Sequence, residues 1–357
     1  MVDFAGLVTD AFAKKASDVH LSVGIPPVYR IHGELAIQEN LGIISERDLT
    51  MSVESLFSKL GVLEHQDRKE IDFAFSVGEK IRVRGNYYFE RKKPAVALRL
   101  ITRDIRTFSE LGLPEVLKNF TTKNSGLILV AGPTGSGKST TLAAMIDYVN
   151  ENRSCHIITI EDPIEYLFTN KKAVIHQREL GSDTQSFADG LKYALRQDPD
   201  VILVGEMRDL STMSLALTAA ETGHLVFSTI HTNSAASAPE RIIDVFPAHQ
   251  QKQIALQLAN TVVAIIYQRL LRRADGNGRI PVLEILLGTP AVKNLIRENK
   301  LHQIESMMQA GARQGMILFD DALFQAYTKG LVSKEEVYEF ARNPQEIGKK
   351  IGTAIRY

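Results

Sequence analysis

The apolar positions of this chain change rhythm near residue 120. Before that point, "VYRIHGEL" (28–35) alternates apolar and polar side chains around a glycine, which predicts a half-buried strand and hairpin. "DLTMSVESLFSKLG" (48–61) follows with helical spacing. "DFAFSV", "KIRVRGNYYFER" and "AVALRLIT" then predict three successive strands, hence a small antiparallel sheet. Beyond residue 120 the strands become apolar throughout: "GLILVA", "HIITI", "VILVG" and "HLVFSTI". Helical stretches such as "KSTTLAAMIDYVNEN" and "TMSLALTAAETG" lie between them, a pattern that predicts a parallel sheet covered on both faces. From about residue 290 onward every periodic segment is helical. Residues 105–120 mix charge, Gly and Pro without a long period, and read as a linker running into a short helix. The chain is therefore expected to be α/β, with an α+β domain at 1–104, a linker and short helix at 105–120 and a mostly parallel α/β domain with a helical end at 121–357.

Composition narrows this picture only slightly. A chain of 357 residues suits two domains better than one core. Lys+Arg and Asp+Glu number 42 each, so no overall field draws in nucleic acid or an acidic membrane. The longest apolar runs, "GLILVA" and "TVVAIIY", fall far short of the ~20 residues that span a bilayer. A lone Cys155 excludes an internal disulfide and fits a reducing compartment.

Chemistry enters with "GPTGSGKS", Gly132 to Ser139, which fits the P-loop pattern between a buried strand and a helix. Gly132, Gly135 and Gly137 let the backbone turn and aim its N–H groups at phosphate oxygens. Lys138 is expected to reach the β- and γ-phosphates of ATP, and the Ser139 hydroxyl to meet Mg²⁺. Pro133, Thr134, Ser136 and Thr140 complete the expected nucleotide-binding turn. Hydrolysis also requires a carboxylate at the metal and the attacking water. "VILVGEMRD" ends an apolar strand at Glu206, and Gly205 leaves the acidic work there to that residue. "HIITIEDPIEY" offers Glu161, Asp162 and Glu165 at a second strand end. Ligands of open parallel sheets bind at the carboxyl ends of strands, so both acidic groups are expected over the P-loop edge. Glu206 is expected in the metal shell and is the first choice for placing or activating water, with Glu165 second for the water. "TGHLVFSTIHT" sets His224 and His231 at the two ends of a third strand. Thr229 and Thr232 beside His231 mark it as a γ-phosphate contact, whereas the spacing of the two histidines along a strand does not suit a metal.

In order and spacing, "GPTGSGKST", "IITIEDPIE", "ILVGEMRD" and "TAAETGHLVFSTIHT" resemble the Walker A, Asp box, Walker B and His box of the secretion ATPases that drive type II secretion and type IV pili. "ASDVHLSVGIPPVYRIHGEL" is similar to the start of their PAS-like N-terminal domain, so the resemblance covers nearly the whole chain. It implies a RecA-like P-loop domain preceded by that PAS-like domain. Within the family the chain looks most like the pilus-retraction branch. It reaches "ASDVHL" without a long N-terminal extension, lacks the four zinc-binding cysteines of extension motors, and carries "AVKNLIRE" (291–298), close to the "AIRNLIRE" of retraction motors. In the predicted helix there, Val292, Leu295 and Ile296 share one face.

The resemblance further implies a homohexameric ring with ATP between the two domains of each subunit. Arg82, Arg84 and Arg99 would approach the phosphates. It implies a cytoplasmic motor, peripheral at the inner face of the inner membrane, that contacts the membrane only through the pilus platform protein. An extension or secretion motor would use the same chemistry with opposite output. A nucleic-acid translocase is disfavoured by the zero net charge and by the absence of a basic stripe interleaved with aromatics. A scaffold that binds nucleotide without turnover would leave the acidic residues idle.

Overall fold

A computed structural model describes residues 2–31, 33–62, 69–78, 81–102 and 105–354. The chain divides into two compact units, residues 1–104 with 165–167, and residues 105–164 with 168–357. Position 32 of the expected hairpin, Lys80 at the head of an expected strand, and positions 103–104 at the expected domain boundary lie outside the described residues.

Among the described residues, the first unit is an antiparallel sheet with two α-helices. Its strands are β1 (Ala16–Ser22), β2 (Val28–Ile31), β3 (Glu34–Ile37), β4 (Glu70–Val77), β5 (Ile81–Glu90) and β6 (Lys93–Thr102). They pair in the order β3-β2-β1-β6-β5-β4. The helix Glu46–Leu60 starts where the Ser45 side chain accepts from Asp48 N and stops at Gly61, whose φ of 71° suits glycine. Leu49, Val53 and Phe57 of this helix, with Leu7, Val8 and Ala11 of the helix Phe4–Ala13, pack on Val19, Leu21, Val83 and Leu98 of the sheet. Gly85 of β5 lies opposite Phe73 of β4. A Cβ at Gly85 would fall 2.2 Å from the Phe73 ring, so only glycine lets the ring cover the strand there.

The second unit is built on a mostly parallel sheet of seven strands. These are β7 (Gly126–Ala131), β8 (His156–Glu161), β9 (Val174–Glu179), β10 (Val201–Val204), β11 (Leu225–Ile230), β12 (Val262–Arg272) and β13 (Arg279–Leu287). Their order is β13-β12-β7-β11-β10-β8-β9, and only β13 runs antiparallel, at one edge. The apolar runs follow from burial on both faces. Leu127 and Leu129 of β7 join one core cluster, while the intervening Ile128 and Val130 join another.

The expected linker is a folded part of this unit. Thr107 and Glu110 form a capping box on the helix Phe108–Leu111. Phe108, Leu113, Leu117 and Phe120 are buried in the same cluster as Leu142, Met145, Ile146 and Val149 of the helix Lys138–Asn152. Their irregular spacing hid a segment that the core nonetheless anchors. Among the described residues, no helix is long and apolar enough to cross a membrane.

Candidate active site

Strand register alone gathers the candidate groups of the second unit. In the parallel pairs, Ile230 of β11 lies opposite Ala131 of β7, Val204 of β10 opposite Ser228 of β11, and Ile160 of β8 opposite Val204. The carboxyl ends of four strands therefore share one edge of the sheet. Gly132 follows β7, His231 follows β11, Glu206 stands just beyond β10, and Glu161 ends β8. Hydroxyls knit the edge together: Ser228 Oγ donates to Val204 O and Thr229 Oγ1 to Gly205 O, both at 2.7 Å. His224 lies at the opposite end of β11, where its ring nitrogen meets Ala219 O at 2.9 Å.

The glycine turn has the geometry that its sequence demands. Gly132, Gly135 and Gly137 have φ of 143°, 78° and 85°. A Cβ at Gly132 would stand 2.4 Å from Gln268 O, so the turn lies directly on β12. The helix Lys138–Asn152 begins at Lys138 and points its N-terminus into the turn. Lys138 is largely buried, and its amine donates to Gly132 O at 3.0 Å and Pro133 O at 2.9 Å. Pro133, Thr134 and Gly135 are exposed, while Ser139 and Thr140 are half-buried on the first helical turn. Ser136 Oγ is a buried hydroxyl with no hydrogen-bond partner among the described residues. An unpaired buried hydroxyl is costly, and a phosphate oxygen is the kind of acceptor that would satisfy it. These residues fit a nucleoside triphosphate.

Glu206 is held between two side chains. Its Oε2 ion-pairs with Arg208 Nε at 2.7 Å, and its Oε1 lies 3.3 Å from His231 Nε2. Burial lowers the pKa of His231, as do the charges of Lys138 and Arg208, against the pull of Glu206. The imidazole is thus held towards its neutral form, a carboxylate beside it. Glu161 is buried and accepts from Thr159 Oγ1 at 2.6 Å and from Gln177 Nε2 at 3.2 Å, which ties it into the sheet. Asp162 is exposed at the turn beyond it.

The remaining candidates belong to the first unit. Arg82 and Arg84 alternate along β5 with buried Ile81 and Val83, and Arg84 lies opposite Arg99 of β6. Arg99 Nε donates to Asp18 Oδ1 at 2.9 Å. Glu165 is exposed and groups with this unit through residues 165–167.

Two contributors escaped the motif reading. Gln268 of β12 is buried; its Nε2 donates to Ser136 O and its Oε1 accepts from Thr141 Oγ1, both at 2.6 Å. It thereby fastens the glycine turn to the helix that follows. The available signal was a lone amide inside the apolar run "VVAIIYQRLL", since a buried polar side chain must find partners. The second is a cleft of about 240 Å³ beside the turn, lined among others by Arg106, Leu113, Gly137, Thr140, Leu270 and Arg279. Arg106 and Leu113 come from the segment expected to be a linker and short helix.

This arrangement is that of a P-loop nucleotide-binding protein of the RecA-like class. The chain belongs to the type II/IV secretion system protein family, whose profile matches residues 3–339. It is 43% identical over 344 residues to the type IV pilus retraction ATPase PilT of Pseudomonas aeruginosa, covering 96% of this chain and 99% of that one. It is 45% identical over 321 residues to a twitching motility protein of Neisseria gonorrhoeae, covering 90% and 86% respectively. Its fold matches the crystal structure of the pilus retraction motor PilT with bound ADP at a TM-score of 0.87 and 42% identity, covering 98% of this chain and all of that one.

Proposed function

We propose that this chain hydrolyses ATP and uses the energy to retract a type IV pilus. The observation that carries the reading is the shared strand edge. It brings a glycine turn, a buried amine, a carboxylate and an imidazole to the same end of the sheet. The output, retraction, is supported by the printed name of the Pseudomonas aeruginosa relative and by that of the solved retraction motor.

In this mechanism the N–H groups of residues 132–140 and the Lys138 amine bind the phosphates, and Lys138 exchanges its loop carbonyls for phosphate oxygens. The cleft beside Thr140 takes the nucleoside. Ser139 and Glu206 would hold Mg²⁺, which would supply charge neutralisation on the triphosphate. Glu206 also orients or deprotonates the attacking water, with Glu165 second in line. His231 contacts the γ-phosphate as a neutral donor. Arg82, Arg84 and Arg99 of the domain at residues 1–104 answer the same charge. Loss of the γ-phosphate releases these contacts, and successive releases around a homohexamer move a partner at its centre. That partner is the pilus platform protein, which holds the motor at the inner face of the inner membrane.

Phosphate release by the purified protein tests the chemistry. Lys138→Ala is expected to abolish release and to weaken nucleotide binding. Glu206→Ala is expected to keep ATP binding while turnover falls at least ~10²-fold, as for a group that acts mainly in the transition state. Near-normal turnover in Glu206→Ala, with loss in Glu165→Ala, would reverse the ranking of the two carboxylates.

A further inference from the structure

The loop that carries His231 is fastened to the carboxyl-terminal part of the chain. Residues 231–237 connect β11 to the helix Ala238–Asp244. Within the loop, Thr232 Oγ1 donates to Ser234 O and Ser237 N to Ser234 Oγ, both at 2.9 Å. Among the described residues, two bonds tie it to residues beyond 280, and both reach one ion pair. Ala235 N donates to Glu284 Oε2 at 2.7 Å, and Arg342 Nη2 donates to Asn233 O at 3.0 Å.

Glu284 is fully buried on β13. Arg342 meets it with both terminal nitrogens, at 2.7 and 2.9 Å. The guanidinium carbon lies 5.3 Å from the ring centres of both Tyr267 and Phe319. Arg342 is itself fixed from behind, because the Asp320 carboxylate accepts from its main-chain N and from Asn343 N, each at 2.8 Å. Breaking such a pair leaves a desolvated carboxylate without its forked partner, which is strongly destabilising. The pair therefore holds the loop backbone on both sides of Ser234. Tyr267, against which Arg342 stacks, lies opposite Ala131 and so borders the phosphate turn as well.

We propose that the Glu284–Arg342 pair is a positioning device for His231, through which the carboxyl-terminal helices set how the site distinguishes a triphosphate from a diphosphate. This rests on the reading of His231 as a γ-phosphate contact. Nothing in the Walker A or Walker B sequence specifies such control, since the pair lies outside every motif.

The test uses the full chain with Mg²⁺ and measures dissociation constants for ADP and for the non-hydrolysable imido analogue of ATP. Arg342→Lys keeps the charge but loses the fork. Glu284→Gln keeps the shape and an acceptor for Ala235 N, and carries the test if Arg342→Lys does not fold. Both are expected to bind ADP like the parent and to lose about 10-fold in affinity for the analogue, within the usual range of coupling between sites. His231→Ala is expected to lose the same preference, and adding Arg342→Lys to it should cost little more, because one acts through the other. An unchanged preference in the folded latch variants, an equal loss for both nucleotides, or full additivity would overturn the proposal. So would failure of both variants to fold, which would make the pair purely structural. If the latch variants keep the preference while His231→Ala loses it, only the latch is wrong. If His231→Ala also keeps it, the reading of His231 fails and the latch with it.

Discussion

Lys138 and His231 illustrate how one charge sets another's state. Burial first, and then the charge of Lys138, lowers the pKa of His231. Lys138→Met removes the second cause, so His231 is expected to titrate at a higher pH in that variant than in the parent. An NMR titration of the imidazole checks this, and an unchanged or lower pKa would contradict it. The sign for stability follows from the same shift. The folded pKa lies below the unfolded one, so this imidazole's share of stability is present above the unfolded pKa and is lost as pH falls through the folded pKa. At this scale the glycine turn was legible because each residue type answers a local demand. A positive φ needs glycine, and a phosphate needs backbone N–H groups and a cation. Gln268, Glu284 and Arg342 were illegible for the opposite reason. Their partners lie far away in sequence, at Ser136, Thr141, Asn233 and Ala235, and only the fold brings them together.

Elements with an unbroken apolar run were the easiest to read, and β7, β8, β10 and β11 stand where the runs stood. β13 was disguised by Pro281 and by the buried Glu284. An edge strand tolerates the proline, and the Arg342 pair accommodates the carboxylate. β12 was passed over although its apolar run is as long as the others, and it is the strand that anchors the site. Gln268→Leu is therefore expected to destabilise the chain by about 1–3 kcal/mol for each of the two groups it leaves unpaired. ADP binding should weaken with it. Urea unfolding beside calorimetric ADP titration would show this, and parent-like values in both would remove Gln268 from the site. In the helix Pro290–Arg297, Val292, Leu295 and Ile296 are buried as their spacing suggested. The Lys293 amine donates to Asn260 O at 3.1 Å, at the end of the helix Ala248–Thr261. Arg297 is exposed and offers a probe of an outward contact. Arg297→Ala is expected to keep near-parent phosphate release, since exposed charges contribute only about 0–1 kcal/mol to stability, yet to reduce retraction events on live cells. Parallel loss of both activities would instead make this helix part of the catalytic core.

For the whole molecule, the change of rhythm near residue 120 read out two architectures in one chain, an antiparallel sheet and a mostly parallel one. The rhythm could not reveal that residues 105–120 fold with the second unit while 165–167 group with the first. Those assignments depend on scattered apolar residues and on tertiary contacts, which carry no period. Output is a property at this scale as well, because retraction and extension share one reaction and differ in what the assembly does to its partner. Imaging of labelled pili separates them most directly. It compares cells that lack this chain with cells that regain either the parent chain or Lys138→Ala. Surplus pili that extend and do not retract are expected without the chain and with Lys138→Ala, and normal retraction with the parent. Bald cells in the deletion strain would contradict a retraction motor and assign the chain to extension.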